Sequence, residues 1–163
     1  MKVIDQQTLD KASQAALRST RRRSNWNLHE KLDDPVQRLF NAIEPGTYIR
    51  PHRHGDGVWE LFLLVRGSAV LLLFDDDGRV TERFLFVSCG PQTDIEIPPR
   101  AWHTMASLEP GTVFFEVKQG PYVPPPPEDV ASWAPQEGDA RTAEVEAWYR
   151  GALPGAILPR RNV

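Results

Sequence analysis

An all-β barrel or sandwich, carrying one short helix at each end, is the fold class this sequence predicts. Three observations lead there. Residues 36–118 break into short β-rich segments separated by Gly, Pro and Asp, which is the punctuation of a sandwich or barrel. Asp76-Asp77-Gly78 between two of them is a tight-turn signal, because glycine takes positive φ at no steric cost. Two segments, WELFLLV and AVLLLF, are apolar on both faces, so their outer side must be covered by the terminal segments or by a second subunit.

In chain order, residues 5–20 read as an amphipathic helix, with Leu9, Ala12, Ala16 and Leu17 near one face. Arg18 and Arg21 to Arg23 follow at its negative end and read as a solvated helix end, since no glycine loop or interleaved aromatics accompany them. The strand candidates are VQRLFNAIEPG, WELFLLVRG, SAVLLLFDDDG, RVTERFLFVSCG and GTVFFEVKQG. Prolines at 124–127 then enforce a polyproline II path, a stiff strap leading to a helix at about 139–150. Asp139 is its expected N-cap, Gly151 its stop, and Ala143, Ala147 and Trp148 its docking face. The expected organisation is an N-terminal helix and arm over 1–35, a barrel over 36–122, and a strap and helix over 123–163 packed on it as one domain.

A chain of 163 residues supports one core. Its net charge of -3 offers no footprint for nucleic acid. The single cysteine, Cys89, excludes an internal disulfide framework and a cysteine-built zinc site. The start has no apolar signal region, and no stretch reaches the roughly 18 apolar residues of a membrane span. A cytoplasmic protein without a membrane partner is the expectation. With only 4 histidines, any metal site must draw its nitrogen ligands from very few residues.

Those histidines are concentrated. His52 and His54 stand at i and i+2, so an extended segment projects both imidazoles from one face. A Gly-Asp-Gly turn at 55–57 lets the chain reverse, and Glu60 opens the next strand on the same face as Phe62 and Leu64. A carboxylate heading an apolar row is costly unless paired, hydrogen-bonded or metal-bound. His103, after Pro98-Pro99-Arg100-Ala101-Trp102, would come from a third strand. The mixed nitrogen and oxygen set suits a divalent transition ion such as Fe, Mn, Ni, Cu or Zn, and leaves positions open for water or substrate.

The Gly46, His52, His54, Glu60, Gly67 frame resembles the first cupin motif, with a His54–Glu60 gap longer than usual. The second motif is partial: Pro98 and His103 stand in place, while Arg100 replaces a glycine and Ser107 an asparagine. A narrower resemblance, to the WbuC family, rests on Asn25-Trp-Asn27-Leu-His29-Glu30, Pro35-Val-Gln37-Arg38, the run from Glu44 to His54, Glu116-Val-Lys118-Gln-Gly-Pro-Tyr122 and Trp133-Ala-Pro. The two resemblances imply a cupin double-stranded β-helix barrel of jelly-roll type, a bound divalent metal and a role in O-antigen or other surface-polysaccharide metabolism.

The remaining polar residues divide by strand parity. Glu116 and Lys118 share a face with Phe114, opposite the apolar row Val113, Phe115 and Val117, which favours a lumenal position and proton transfer beside a metal. His29 reads equally as a loop histidine satisfied by backbone or as a further proton carrier. Asn25 and Asn27 alternate with it along an extended arm and offer donors and acceptors for sugar hydroxyls; Arg38, Tyr48 and Arg50 are further candidates for holding an anionic or hydroxylated ligand. The expected function is a metal-dependent isomerase, epimerase or dioxygenase acting on a sugar-like metabolite. A non-catalytic sugar sensor and a scaffold subunit are the competing readings. The doubly apolar strands lead us to expect a homodimer.

Overall fold

Among the described residues, 1–159 of this computed structural model, eight strands form two antiparallel sheets and each sheet carries a helix on its outer face. The last four residues of the 123–163 segment lie outside the described residues. The order is α1 (Gln6–Arg18), β1 (Arg23–Asn27), β2 (Val36–Ile43), β3 (Glu60–Arg66), β4 (Ser68–Phe74), β5 (Val80–Val87), β6 (Asp94–Ile97), β7 (Trp102–Ser107), β8 (Thr112–Gln119) and α2 (Thr142–Gly151). The larger sheet runs β1-β2-β8-β3-β6 and the smaller β5-β4-β7.

Period-two alternation builds the interior. Phe62 and Leu64 of β3, Phe114 of β8 and Ile43 of β2 meet Leu71 of β4, Phe86 of β5 and Met105 of β7 between the sheets. The opposite residues of β4, Val70, Leu72 and Phe74, lie beneath Val145 and Tyr149 of α2 and Leu158. On the larger sheet, Leu9, Ala12 and Ala16 of α1 cover Phe40, Ala42 and Val113. The chain's own ends therefore cover the doubly apolar strand β4. Each large apolar side chain buried this way contributes about 1.5–3 kcal/mol.

Several local expectations shift. Helix α1 starts after Asp5, whose Oδ1 accepts the Thr8 N–H at 2.9 Å, and stops at Arg18 rather than at residue 20. Leu17 is exposed, because the contact stripe runs through Leu9, Ala12 and Ala16. The second helix begins at Thr142, later than the expected 139; Asp139 instead closes the preceding turn, its Oδ1 accepting the Arg141 N–H at 2.8 Å. Val145 and Tyr149, an i, i+4 pair, form the docking face, while Ala143 and Ala147 are exposed and Trp148 is half-buried. The arm before residue 36 contributes β1, an edge strand of the larger sheet.

Gly67 links β3 to β4 at φ 90°, and a Cβ there would stand 2.4 Å from Thr112 Oγ1. Only glycine fits that link, which starts β4 toward the second sheet.

Candidate metal centre

The segment before β3 runs beside β7, and the two carry facing histidines. His52 N–H donates to His103 O at 3.1 Å and His103 N–H to His52 O at 2.9 Å. Each imidazole is then fixed by its own backbone. His52 Nδ1 donates to Arg50 O at 3.1 Å and His103 Nδ1 to Ala101 O at 3.0 Å. Carbonyls only accept, so both rings carry their proton on Nδ1 and present an Nε2 lone pair.

Glu60, the first residue of β3, faces those lone pairs. Its Oε2 lies 3.0 Å from His54 Nε2 and 3.2 Å from His103 Nε2, the latter without hydrogen-bonding alignment. The donor atoms of His52, His54, Glu60 and His103 all lie within 4.8 Å of one another. A buried lone pair turned toward a carboxylate oxygen is unfavourable unless a cation sits between them. The donor set thus fits a transition metal ion on three grounds: ligand chemistry, tautomer and the unsatisfied Nε2. Burial, reinforced by His103, pushes the His52 imidazolium down to about 3, keeping the ring in its coordinating neutral form.

Lys118 of β8 bridges two carboxyls, its Nζ 3.1 Å from Glu60 Oε1 and 2.7 Å from Glu116 Oε1. Burial alone would raise Glu60, but Lys118 first, and then the hydrogen bond with His54, hold it well below the usual carboxylate range. Glu116 goes the other way: burial and then the neighbouring Glu60 charge push it up to about 8. Lys118 would lose its proton more readily on burial, yet the two carboxyls raise it above its ordinary value. Asn41 of β2 adds an Nδ2 donor to Glu116 Oε2 at 3.4 Å.

Around this centre lies a cavity of about 1070 Å³, one wall of which is the proline strap. The strap is pinned through Asp129, a buried residue of a single 3-10 turn at Pro127–Asp129. Its Oδ1 accepts from Arg53 Nε at 2.7 Å and Arg100 Nη1 at 3.0 Å, and its carbonyl accepts the Arg53 N–H at 3.0 Å. Arg53 also stacks over Trp102, 4.4 Å from the ring centroid. Arg100, standing where the second cupin motif has a glycine, sits at φ 66°, in the left-handed region that side chains rarely occupy. Its N–H donates to His54 O at 3.0 Å, and that tie, with Asp129, holds the conformation.

Of the residues singled out from sequence, the cavity gathers His52, His54, Glu60, His103, Glu116, Lys118, Asn25 and Arg50. His29, Asn27, Arg38 and Tyr48 are not among its walls. His29 is buried and folds back on β2, its Nδ1 3.0 Å from both the Arg38 nitrogen and the Arg38 carbonyl, while its Nε2 meets no partner among the described residues. Tyr48 is buried in the outer core against Tyr149, its hydroxyl donating to Pro135 O at 2.7 Å, and burial pushes it up to about 12. Arg38 borders a separate shallow pocket beside Asp34 and Pro35, and Asn27 is exposed at the end of β1. Sequence reasoning passed over Asn41, Arg53 and Asp129. The polar Asn41 inside the apolar strand VQRLFNAI was the one local signal; Asp129 gave none.

The profile of a family described as "Domain of unknown function (DUF6016)" matches residues 4–86. No curated protein matches the chain in sequence. Among solved structures, the chain is similar to a cupin 2 domain-containing protein from Halorhodospira halophila, at 18% identity over 82% of this chain and 84% of that one, with a TM-score of 0.50. A protein of Thermus thermophilus, TT1209, matches at 16% identity over 73% and 97% of the two chains, TM-score 0.51. SPY1581 from Streptococcus pyogenes, a conserved protein of unknown function, matches at 15% identity over 75% and 90%, TM-score 0.51. The fold is a cupin-like β-barrel with short terminal helices, and no helix among the described residues is long and apolar enough to cross a membrane.

Proposed function

Because the chain belongs to the DUF6016 family, whose description assigns no activity, we propose its function from the donor cluster in its barrel. We infer that His52, His54, Glu60 and His103 hold one divalent transition metal ion (iron, manganese, nickel or zinc) and that the protein is an enzyme acting on a small, sugar-like metabolite. The observation that carries this reading is the pair of backbone-anchored imidazoles whose Nε2 atoms meet Glu60 and His54 in one cluster. Bound there, the ion would supply Lewis-acid polarisation of a carbonyl or hydroxyl.

The chain's own residues would handle the protons. Glu116, protonated up to about pH 8, gives or takes a proton at its carboxyl oxygens, and Lys118 keeps compensating charge 2.7 Å away. Asn41 orients the carboxyl. A neutral acid beside an ionised carboxylate suits isomerisation or epimerisation of a hydroxylated substrate. The resemblance to the WbuC family supports a role in surface-polysaccharide metabolism.

Elemental analysis tests the assignment: purified protein is expected to hold about one equivalent of transition metal, and His52→Ala and His103→Ala to lose it. Metal retained in both variants overturns the ligand set.

A further inference from the structure

Every charged residue of the cavity wall but one has an ion-pair partner. Arg21 and Arg23 share Glu137, Arg53 is paired with Asp129, and Lys118 lies between Glu60 and Glu116. Among the described residues, Arg50 is the one charged residue of the cavity wall without an ion-pair partner. It is half-buried, which makes an unmatched guanidinium costly and an anionic partner correspondingly favourable.

Its placement is specific. Arg50 precedes His52 and His54 at spacings of two and four along one segment, and all three line the same cavity. Arg50 Nε donates to Ala131 O of the strap at 3.0 Å, which fixes the plane of the guanidinium and leaves its two terminal nitrogens as an end-on pair. That pair matches the two oxygens of a carboxylate. A phosphate presents a similar oxygen pair, so the titration below compares the two anions directly. Asn25, Asn41, Gln119 and Gln136 line the same space and supply neutral donors and acceptors for hydroxyl groups.

We propose that the cavity is a site for a polyhydroxylated carboxylic acid, a sugar acid, whose carboxylate is held by Arg50. The proposal rests on the metal reading above for the opposite end of the ligand, and on the charge pattern of the wall for its acid end. A metal ion would add positive charge to the cavity, which favours an anion further.

Calorimetric titration of the metal-loaded protein with D-glucuronate, D-glucose and D-glucose 6-phosphate tests it. Glucuronate is expected to bind about ten-fold or more tighter than glucose, as a charge-assisted hydrogen-bond pair implies. Arg50→Gln should abolish that preference while melting temperature and metal content stay at wild-type values, and Arg50→Lys should restore part of it. Equal affinity for glucuronate and glucose, binding of neither, tighter binding of the phosphate, or a preference that survives Arg50→Gln would each overturn the proposal. The metal reading fails separately, by elemental analysis; in protein that holds no metal, the glucuronate-to-glucose ratio and its response to Arg50→Gln still decide the role of Arg50.

Discussion

Glu60 and Glu116 share one lysine in the lumen, so two carboxyls face a single ammonium, and burial makes the second negative charge expensive. The consequence for pH follows from the direction of the shift. Glu116 has its folded pKa raised from 4.5 to about 8, so the protonated carboxyl contributes stability in full below 4.5 and loses it as pH rises through about 8. Metal-free wild-type protein is therefore expected to melt at a lower temperature at pH 9 than at pH 6, and Glu116→Gln to flatten that difference; parallel melting curves for the two proteins would contradict it. The lumenal position of Glu116 and Lys118 was readable from strand parity, because Val113, Phe115 and Val117 form the other row of β8. Nothing comparable distinguishes a site tyrosine from a core tyrosine. Tyr48 and His29 were legible as polar residues near a motif, while their partners, Pro135 O and the Arg38 N–H, are backbone groups that only the tertiary structure brings to them.

At the scale of elements, the proline strap does more than close a wall. Arg53 stands between His52 and His54 and Arg100 on the approach to His103, so one buried carboxylate, Asp129, ties together both segments that carry the histidine cluster. Asp129→Asn is expected to cost about 1.5–3 kcal/mol in urea unfolding, the range for hydrogen bonds to charged groups. It should also weaken metal retention against a chelator, although Asp129 lies outside the donor set. Wild-type retention in the variant would show that the histidines hold their positions without the strap. The existence of the strap was visible in four consecutive prolines. Its anchor was not, because residues 53, 100 and 129 are distant in sequence and no periodicity links them. The altered second motif has the same explanation: Arg100 holds a left-handed backbone without being glycine, and interactions with His54 O and Asp129 support it.

For the whole molecule, two doubly apolar strands raised the question of what covers the barrel, and α2 answers it for β4 by burying Tyr149 against Tyr48 and Phe74. Tyr149→Ala is expected to destabilise the fold by about 3–5 kcal/mol, as for other large aromatic deletions, measured by denaturant unfolding. A loss below about 1 kcal/mol would mean that α2 is a dispensable attachment. The barrel was legible because alternation, turn residues and motif spacing all agree. The exact docking face of α2 was not, because Ala143, Ala147 and Trp148 offer as plausible a stripe as Val145 and Tyr149 until the start of the helix is known. The backbone pairing of His52 with His103 bears on folding kinetics as well. These residues lie on opposite sides of β3 to β6 in chain order, so the cluster cannot exist until a long, non-local loop has closed. In an unfolded chain only His52 and His54 would stand close together; under the proposed ligand set, full coordination would therefore follow completion of the barrel, and its rate on refolding is expected to track the slowest strand pairing rather than diffusion of the ion.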